Sequence, residues 1–354
     1  MKLDNLEQMQ QLDPENMIGL INGLPDQLNT AWELGQTLPL PEVEDFRQVV
    51  VVGMGGSAIG ADLLAAYAEP VLAVPLIVQR SYNLPAWAEG PETLVICSSD
   101  SGNTEETLSG YLQAKQHGCT VIAVTTGGQL AEQAAQAGDP LWKFELDAQP
   151  RAAVGYSFGL LLAIFSRLKL VPDPAEELAG AIDAMKVQQK DLLPEVSVPQ
   201  NPAKRAAGQL MDRCATIWAA GVLAPVARRW KTQINENANT HASFEILPEG
   251  NHNTLQGIVQ PEQFFGGSMH VFLLAPHDDE RNNLRVKLTK KAFMLHGQNT
   301  DSYKAQGASR LENMWTALHF GDYVSYYLAI SYGIDPTPVD MLADFKQKMK
   351  AAQE

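Results

Sequence analysis

Cysteine is scarce in this chain of 354 residues, with Cys97, Cys119 and Cys214 far apart and no CxxC pair. That spacing suggests neither a disulfide framework nor a zinc knuckle and fits a reducing cytoplasm. Long hydrophobic runs are missing too. The longest, near Tyr156 to Phe165, is too short to cross a bilayer and reads as a buried helix, so no membrane partner is expected. The opening MKLDNLEQMQQLDPEN has acidic residues and no apolar centre, unlike a secretory signal. Positive charge is in deficit: 26 Lys and Arg against 41 Asp and Glu give a net charge of −15, which argues against nucleic acid as a partner. No HExxH, Cys-His cluster or paired-carboxylate spacing points to a metal. A composition 45% hydrophobic and 19% charged is that of a globular protein, and the length suggests two domains.

The stretch VVVVGMGGSAIGADLLAAY from Val49 reads as a buried strand, a glycine turn and a helix. Gly53, Gly55 and Gly56 allow a sharp turn that closes on a ligand, and Ser57 is the expected N-cap of a helix beginning near Ala58. Its hydroxyl and the free first-turn amides suit an anion such as phosphate. Such turns also occur without a ligand. In a chain of this charge, amide dipoles and a few placed cations would have to hold the anion.

Around this unit, Asn5 to Thr37 reads as a lead-in pair of helices broken by Pro14 and Pro25 and packed outside the sheet. VPLIVQR, TLVICSS, CTVIAVTT and Leu141 to Leu146 read as strands alternating with helices, which makes a parallel sheet. A long apolar helix opens at Pro150-Arg151 and runs to Leu170. The pattern restarts at ATIWAAG, followed by the helix VLAPVARRWKTQINENAN, the strand HVFLLAP, another helix and a short strand at TDSYKAQG. The expected fold is therefore α/β, two similar halves, each a parallel sheet flanked by helices. The division falls at residues 1–175 and 176–354, the first carrying the lead-in helices and the second the connecting and C-terminal ones.

A second turn, Ser99-Asp100-Ser101-Gly102-Asn103-Thr104, gathers Ser99, Ser101 and Thr104 at a strand-to-helix junction. Hydroxyls and amides there can converge on one phosphate, or simply cap the helix. Two such turns in successive units favour the phosphate, because the C-terminal ends of parallel strands are where ligands bind. For proton transfer, Glu236 in a helix and His252 in a turn are candidates by residue type, with Glu245, Glu249, His241 and His270 no worse. Arg151 suits a substrate clamp or a salt bridge.

These residues carry a resemblance. GMGGSAIGAD, SYNLP, SSDSGNTEET, PRAA, RWKTQINENAN, EGNHNTLQG and YLAISYGIDPTPVDMLADFK, from Val49 to Lys346, resemble in order the bifunctional phosphoglucose/phosphomannose isomerases of the sugar isomerase (SIS) domain superfamily. The resemblance implies two SIS-type subdomains, each three-layered. It implies that Ser57, Ser99, Ser101 and Thr104 hold the phosphate of a hexose 6-phosphate while Gly55 and Gly56 let the backbone close. It makes Glu236 the base that moves a proton between C2 and C1 through a cis-enediol, and Arg151 the stabiliser of the negative charge. His252 would help open the sugar ring from a neighbouring subunit of a homodimer. The ring-opening lysine falls on Lys346, with Lys348 two residues away. No metal or organic cofactor is expected.

Three positions depart from the family's pattern. Asp100 puts negative charge between two proposed phosphate ligands and is harmless if its side chain points away from the pocket. Gly250 and Thr254 flank the Asn-His-Asn turn where relatives often have an apolar residue and a glutamate. Two other readings share the SGNT turn: an aminosugar-phosphate enzyme and a non-catalytic phosphosugar sensor. The chain shows neither a glutaminase domain nor a DNA-binding helix-turn-helix of the kind these carry.

Overall fold

The computed structural model describes residues 2–42 and 45–352. Strands β1 (Gln48–Val52), β2 (Leu76–Gln79), β3 (Thr93–Ser98), β4 (Thr120–Thr125) and β5 (Leu141–Lys143) form one parallel sheet in the order β2-β1-β3-β4-β5. Strands β6 (Cys214–Ala220), β7 (Ala242–Leu247), β8 (Ser268–Leu274) and β9 (Thr300–Lys304) form a second parallel sheet in the order β7-β6-β8-β9. Alternate residues feed different cores. Val49, Val51, Leu94 and Ile96 pack into one cluster, whereas Val50, Val52, Val95 and Cys97 pack with Tyr111 and Leu130 into another. Period-two side chains with both faces buried are what a sheet between two helical layers requires. The second sheet repeats this, with Ile217 and Val271 on one face and Trp218 and Phe272 on the other. This is the expected α/β arrangement of two SIS-type units.

The helix Arg310–Tyr332 is buried nearly all round and packs against the helices Ala175–Gln189, Pro202–Leu210 and Ala224–Asn237. A helix so placed has no solvent face, so its polar residues need internal partners. Asp322 takes the Arg229 guanidinium at 2.9 Å, and the His319 ring meets the Ile21 carbonyl at 2.8 Å.

Several boundaries differ from those expected. The lead-in region is three helices, Leu6–Leu12, Met17–Asn22 and Leu24–Gly35. Pro25 sits in the first turn of the third, where its missing N–H costs nothing, rather than breaking a helix. That third helix packs on the helix Val154–Arg167, which is shorter than the expected run to Leu170 and follows a separate turn at Pro150–Ala152. Strand β7 was not foreseen, because Ser243 and Glu245 interrupt its apolar pattern at the edge of the sheet. Among the described residues no helix is long and apolar enough to cross a membrane.

Candidate active site

The strand order of the first sheet reverses direction between β1 and β3, the position where open parallel sheets form a crevice at their carboxyl ends. Both hydroxyl-bearing turns leave from these two strands. After β1 the chain passes Met54 in extended conformation and enters the helix Gly55–Ala68 at once. Gly55 adopts φ 51°, and a Cβ on Gly56 would stand 2.5 Å from the Pro150 carbonyl oxygen. The glycines are therefore already in the helix. Ser57 lies buried within its first turn and is not the cap, contrary to the expectation from sequence.

In the second turn the Ser99 and Thr104 hydroxyls meet at 3.0 Å, and Ser99 Oγ accepts the Gly102 amide at 3.2 Å. Thr104 stands at the N-cap of the helix Glu105–Gln116 without a side-chain capping bond, so its hydroxyl is turned to Ser99 instead. Ser101 is exposed and its Oγ accepts the Asn103 amide at 3.2 Å. Asp100 does not point away. Its Oδ1 lies 3.4 Å from Ser57 Oγ, between the two turns, and its Oδ2 is buried without a hydrogen-bond partner. Burial lifts its pKa to about 7, and the Ser57 hydrogen bond only partly opposes this.

The second half contains the same glycine device. Gly221, directly after β6, repeats the φ of 51° seen at Gly55. There the Asp278 Oδ2 accepts the Val222 amide at 2.9 Å, and the carboxylate also faces the Arg310 guanidinium at 3.5 Å. A carboxylate of the chain itself lies in this turn of the second half, whereas at Gly55 an added Cβ would meet nothing within 4 Å.

Arg151 follows Pro150, the residue against which Gly56 closes, and is 4% exposed. Its Nε donates to Asn237 Oδ1 at 2.6 Å, and its Nη2 donates to the carbonyls of Pro336 at 2.7 Å and Thr337 at 2.6 Å. Nη1 faces Glu236 Oε2 at 3.9 Å. Burial lowers the arginine's pKa, and the Glu236 charge opposes that shift. The helix carrying Glu236, Ala224–Asn237, runs antiparallel to Gly55–Ala68: Asp62 meets Arg228 at 2.9 Å, while their other ends come together at Gly56, Pro150-Arg151 and Glu236. The glycine turn and the carboxylate thus share one end of the helix pair. Asn237 is fully buried and bridges Arg151 to the Ser325 hydroxyl at 2.9 Å. It was not singled out from sequence, although it directly follows Glu236 in the NENAN motif.

His252 does not join this group within one chain. Glu236 precedes β7 and His252 follows it, so about 20 Å of strand, at ~3.3 Å per residue, lies between them. The Asn-His-Asn turn is firmly held: Asn251 Nδ2 donates to Thr289 Oγ1 at 2.8 Å and Asn253 Nδ2 to Glu249 Oε1 at 2.7 Å, which leaves His252 exposed between them. Gly250 is needed because a Cβ there would come within 2.9 Å of the Trp218 ring, and Thr254 Oγ1 donates to Glu245 Oε1 at 3.1 Å. Every residue of the helix Asp340–Ala351 is exposed, Lys346 included. Lys348 pairs with Asp344 at 2.6 Å. Glu245 and Glu249 serve this turn, His270 accepts from Trp218 Nε1 at 3.3 Å, and His241 lies exposed before β7. Among the described residues no group of three or more His, Cys, Asp or Glu side chains is placed to hold a metal.

Two parallel sheets of this topology, with paired turns at the switch point of the first, define an SIS-fold protein. A solved structure of a hypothetical protein from Thermus thermophilus superposes with a TM-score of 0.73 at 16% identity, covering 98% of this chain and 94% of that one. The model of the bacterial phospho-glucose isomerase C-terminal SIS domain matches residues 199–349. A bifunctional phosphoglucose/phosphomannose isomerase from Caldicellulosiruptor bescii is 38% identical over 335 residues, 94% of this chain and 98% of that protein. Its counterpart from Aquifex aeolicus is 32% identical over 310 residues, covering 87% and 92%. The chain belongs to the bifunctional phosphoglucose/phosphomannose isomerase family.

Proposed function

We propose that this protein is a cytoplasmic aldose-ketose isomerase that interconverts glucose 6-phosphate and mannose 6-phosphate with fructose 6-phosphate. The observation that carries the reading is the placement of Glu236 and Arg151 against the end of the helix pair from which the glycine turn opens. A hexose 6-phosphate anchored by its phosphate at Ser57, Ser99, Ser101 and Thr104, with Gly55 and Gly56 admitting it to the backbone, extends its C1–C2 end toward Glu236. The carboxylate takes the C2 proton and returns it to C1, and the carbon–carbon double bond of the cis-enediol forms and collapses between the two transfers. Arg151, fixed by three hydrogen bonds, presents its remaining nitrogen to the negative charge that develops on the enediol oxygens. No metal or organic cofactor is needed for this transfer.

Ring opening must precede it, and His252 is the imidazole assigned to that step. His252 lies beyond the far end of β7 from Glu236, which supports a reading in which a second copy supplies the histidine and the working unit is a homodimer. Lys346, on the exposed final helix, is the second ring-opening group. The decisive test measures fructose 6-phosphate formation from each aldose phosphate by wild-type and Glu236→Gln protein. Loss of roughly a hundredfold or more in kcat with KM little altered supports the assignment. Turnover that survives in the variant, or no wild-type turnover of either sugar, overturns it.

A further inference from the structure

Asp100 is the one acidic side chain between the two turns assigned to phosphate, and its position raises a question that the assignment alone does not answer. A phosphate monoester is a dianion above pH ~6. Bringing a dianion into van der Waals range of a fixed carboxylate in a half-buried site is unfavourable unless the carboxylate leaves, pairs with a cation or takes up a proton.

The surroundings of Asp100 narrow these choices. Withdrawal of the turn is opposed by the Asp100 backbone, whose carbonyl accepts from Thr126 N at 3.1 Å and Thr126 Oγ1 at 2.7 Å, and the side chain is directed to the Ser57 hydroxyl at 3.4 Å. Among the described residues no cation pairs with Asp100: Arg80, which donates to the Ala58 carbonyl at 3.3 Å, is taken up by Asp62. From the helix Gly55–Ala68 the facing group is the neutral Ser57, and the next acid along it, Asp62, is held by Arg80 and Arg228. On the helix that follows the turn, Glu105 accepts from the Tyr82 hydroxyl at 3.2 Å, and Glu106 lies beside it at the helix start. The turn after β4 offers only Thr125, Thr126 and Gly127. Arg151, from the Pro150 turn, is committed to Asn237, Pro336 and Thr337.

The second half supplies a control within the same chain. In its cradle Asp278 has both an amide and an arginine, and it occupies the anion position itself. Asp100 has neither. Its Oδ2 is buried and unpartnered while Oδ1 lies 3.4 Å from Ser57 Oγ, so a carboxyl O–H there lacks an acceptor, which a phosphate oxygen brought in between the turns would supply.

We propose that Asp100 is a specificity-determining residue of the phosphate subsite that admits the substrate dianion only as the neutral acid, donating its proton in a hydrogen bond to a phosphate oxygen. No covalent bond in the substrate changes: where Asp100 starts ionised, one proton is taken from solvent as the sugar phosphate binds. This rests on the phosphate assignment of Ser57, Ser99, Ser101 and Thr104. Because the empty-site pKa stands at about 7, affinity falls as pH rises above neutrality although the substrate stays a dianion there. A proton-independent pocket would keep its affinity over that range.

The test uses the 354-residue protein carrying Glu236→Gln, so that glucose 6-phosphate binds without turnover, and measures binding calorimetrically at pH 8 in two buffers of different ionisation enthalpy. Uptake of close to one proton per site is expected, dropping to near zero when Asp100→Asn is added. In protein with Glu236 intact, KM for glucose 6-phosphate should rise roughly tenfold from pH 7.5 to 8.5, and Asp100→Asn should flatten that rise. No proton uptake by the Asp100-containing protein overturns the proposal without reference to any variant, as does a KM rise that persists in Asp100→Asn. Ser99→Ala separates the two levels of the argument. If it binds glucose 6-phosphate as tightly as its parent, the phosphate assignment itself is wrong. If it binds weakly while proton uptake is absent in its parent, only the role of Asp100 falls.

Discussion

Arg151 faces Glu236 at 3.9 Å while its other nitrogens hold Asn237, Pro336 and Thr337, so one buried guanidinium ties separate segments of chain to the carboxylate. Lysine keeps the charge but has no planar fork to serve these acceptors together. Arg151→Lys should therefore lower kcat at least tenfold and also lower the melting temperature. Each buried acceptor left unpaired costs about 1–3 kcal/mol. Steady-state kinetics beside thermal denaturation checks this; a kcat loss with wild-type stability would confine Arg151 to the chemistry.

The strand of about 20 Å between Glu236 and His252, at ~3.3 Å per residue, makes a subunit-mixing experiment informative. Glu236→Gln and His252→Ala proteins, each nearly inactive, are unfolded together and refolded as mixed dimers. If the histidine crosses the interface, each heterodimer has one site with both groups intact, and the mixture recovers about a quarter of wild-type activity. If both groups act within one chain, every site keeps one defect and nothing is recovered.

Much of this arrangement was readable before the structure. The alternation of Val49 to Val52, Leu94 to Ser98 and Val121 to Thr125 with glycine-started helices announced a parallel sheet, since only such a sheet buries unbroken apolar strands on both faces. The hydroxyl turns were legible for the same local reason. Asp100 was not, because a side chain's direction depends on Ser57 and on the turn after β4, 43 and 26 residues away in sequence. Asn237 was overlooked because its partner Arg151 is 86 residues away, and periodicity carries no signal for pairing at that range. Strand β7 escaped because an edge strand tolerates the polar residues that break an apolar run.

Gly56 leaves no room for a side chain, since the Pro150 carbonyl oxygen stands 2.5 Å from where a Cβ would lie. Alanine there has to push the glycine turn from the Pro150-Arg151 turn and so separate the proposed phosphate subsite from the arginine. Gly56→Ala should raise KM for glucose 6-phosphate by an order of magnitude or more, and lower kcat as well, because misplacement of about 1 Å is enough to disturb proton transfer. Gly55→Ala makes the comparison: its Cβ would meet nothing within 4 Å, and only the positive φ opposes it. The smaller effect should therefore belong to Gly55→Ala, and the reverse order would place the ligand against the first glycine instead.

The two lysines of the final helix differ in their partners. Lys348 is held by Asp344 at 2.6 Å, whereas the exposed Lys346 makes no salt bridge among the described residues. Lys346→Met should lower kcat on the cyclic sugar phosphate severalfold, with Lys348→Met close to wild type. Equal losses would point to the helix as a whole, through its exposed Met341, Leu342 and Phe345, rather than to one ammonium.

Two histidines, the fully buried His319 and the half-buried His270, weaken the fold in acid, with a sign opposite to that of Asp100. Burial lowers His319 to a pKa of about 4, and His270 likewise to about 4, both from an ordinary value of 6.5. Each group therefore binds its proton more readily in the unfolded chain, so its contribution to stability is complete above pH 6.5 and is lost as pH falls toward 4. For the fully buried His319, whose Nε2 lies 2.8 Å from the Ile21 carbonyl and whose Nδ1 has no partner, the loss is on the order of 3 kcal/mol. Asp100 behaves oppositely: its folded pKa is raised, so its contribution is complete below about pH 4 and disappears as pH rises through about 7. His319→Gln can still donate to the Ile21 carbonyl but does not titrate, so its urea-unfolding free energy should fall less than that of the wild type between about pH 6.5 and 4. Asp100→Asn should instead gain stability over the wild type at about pH 8. If His319→Gln followed the wild-type acid slope throughout, the proton responsible would have to bind elsewhere, with His270 the first position to examine.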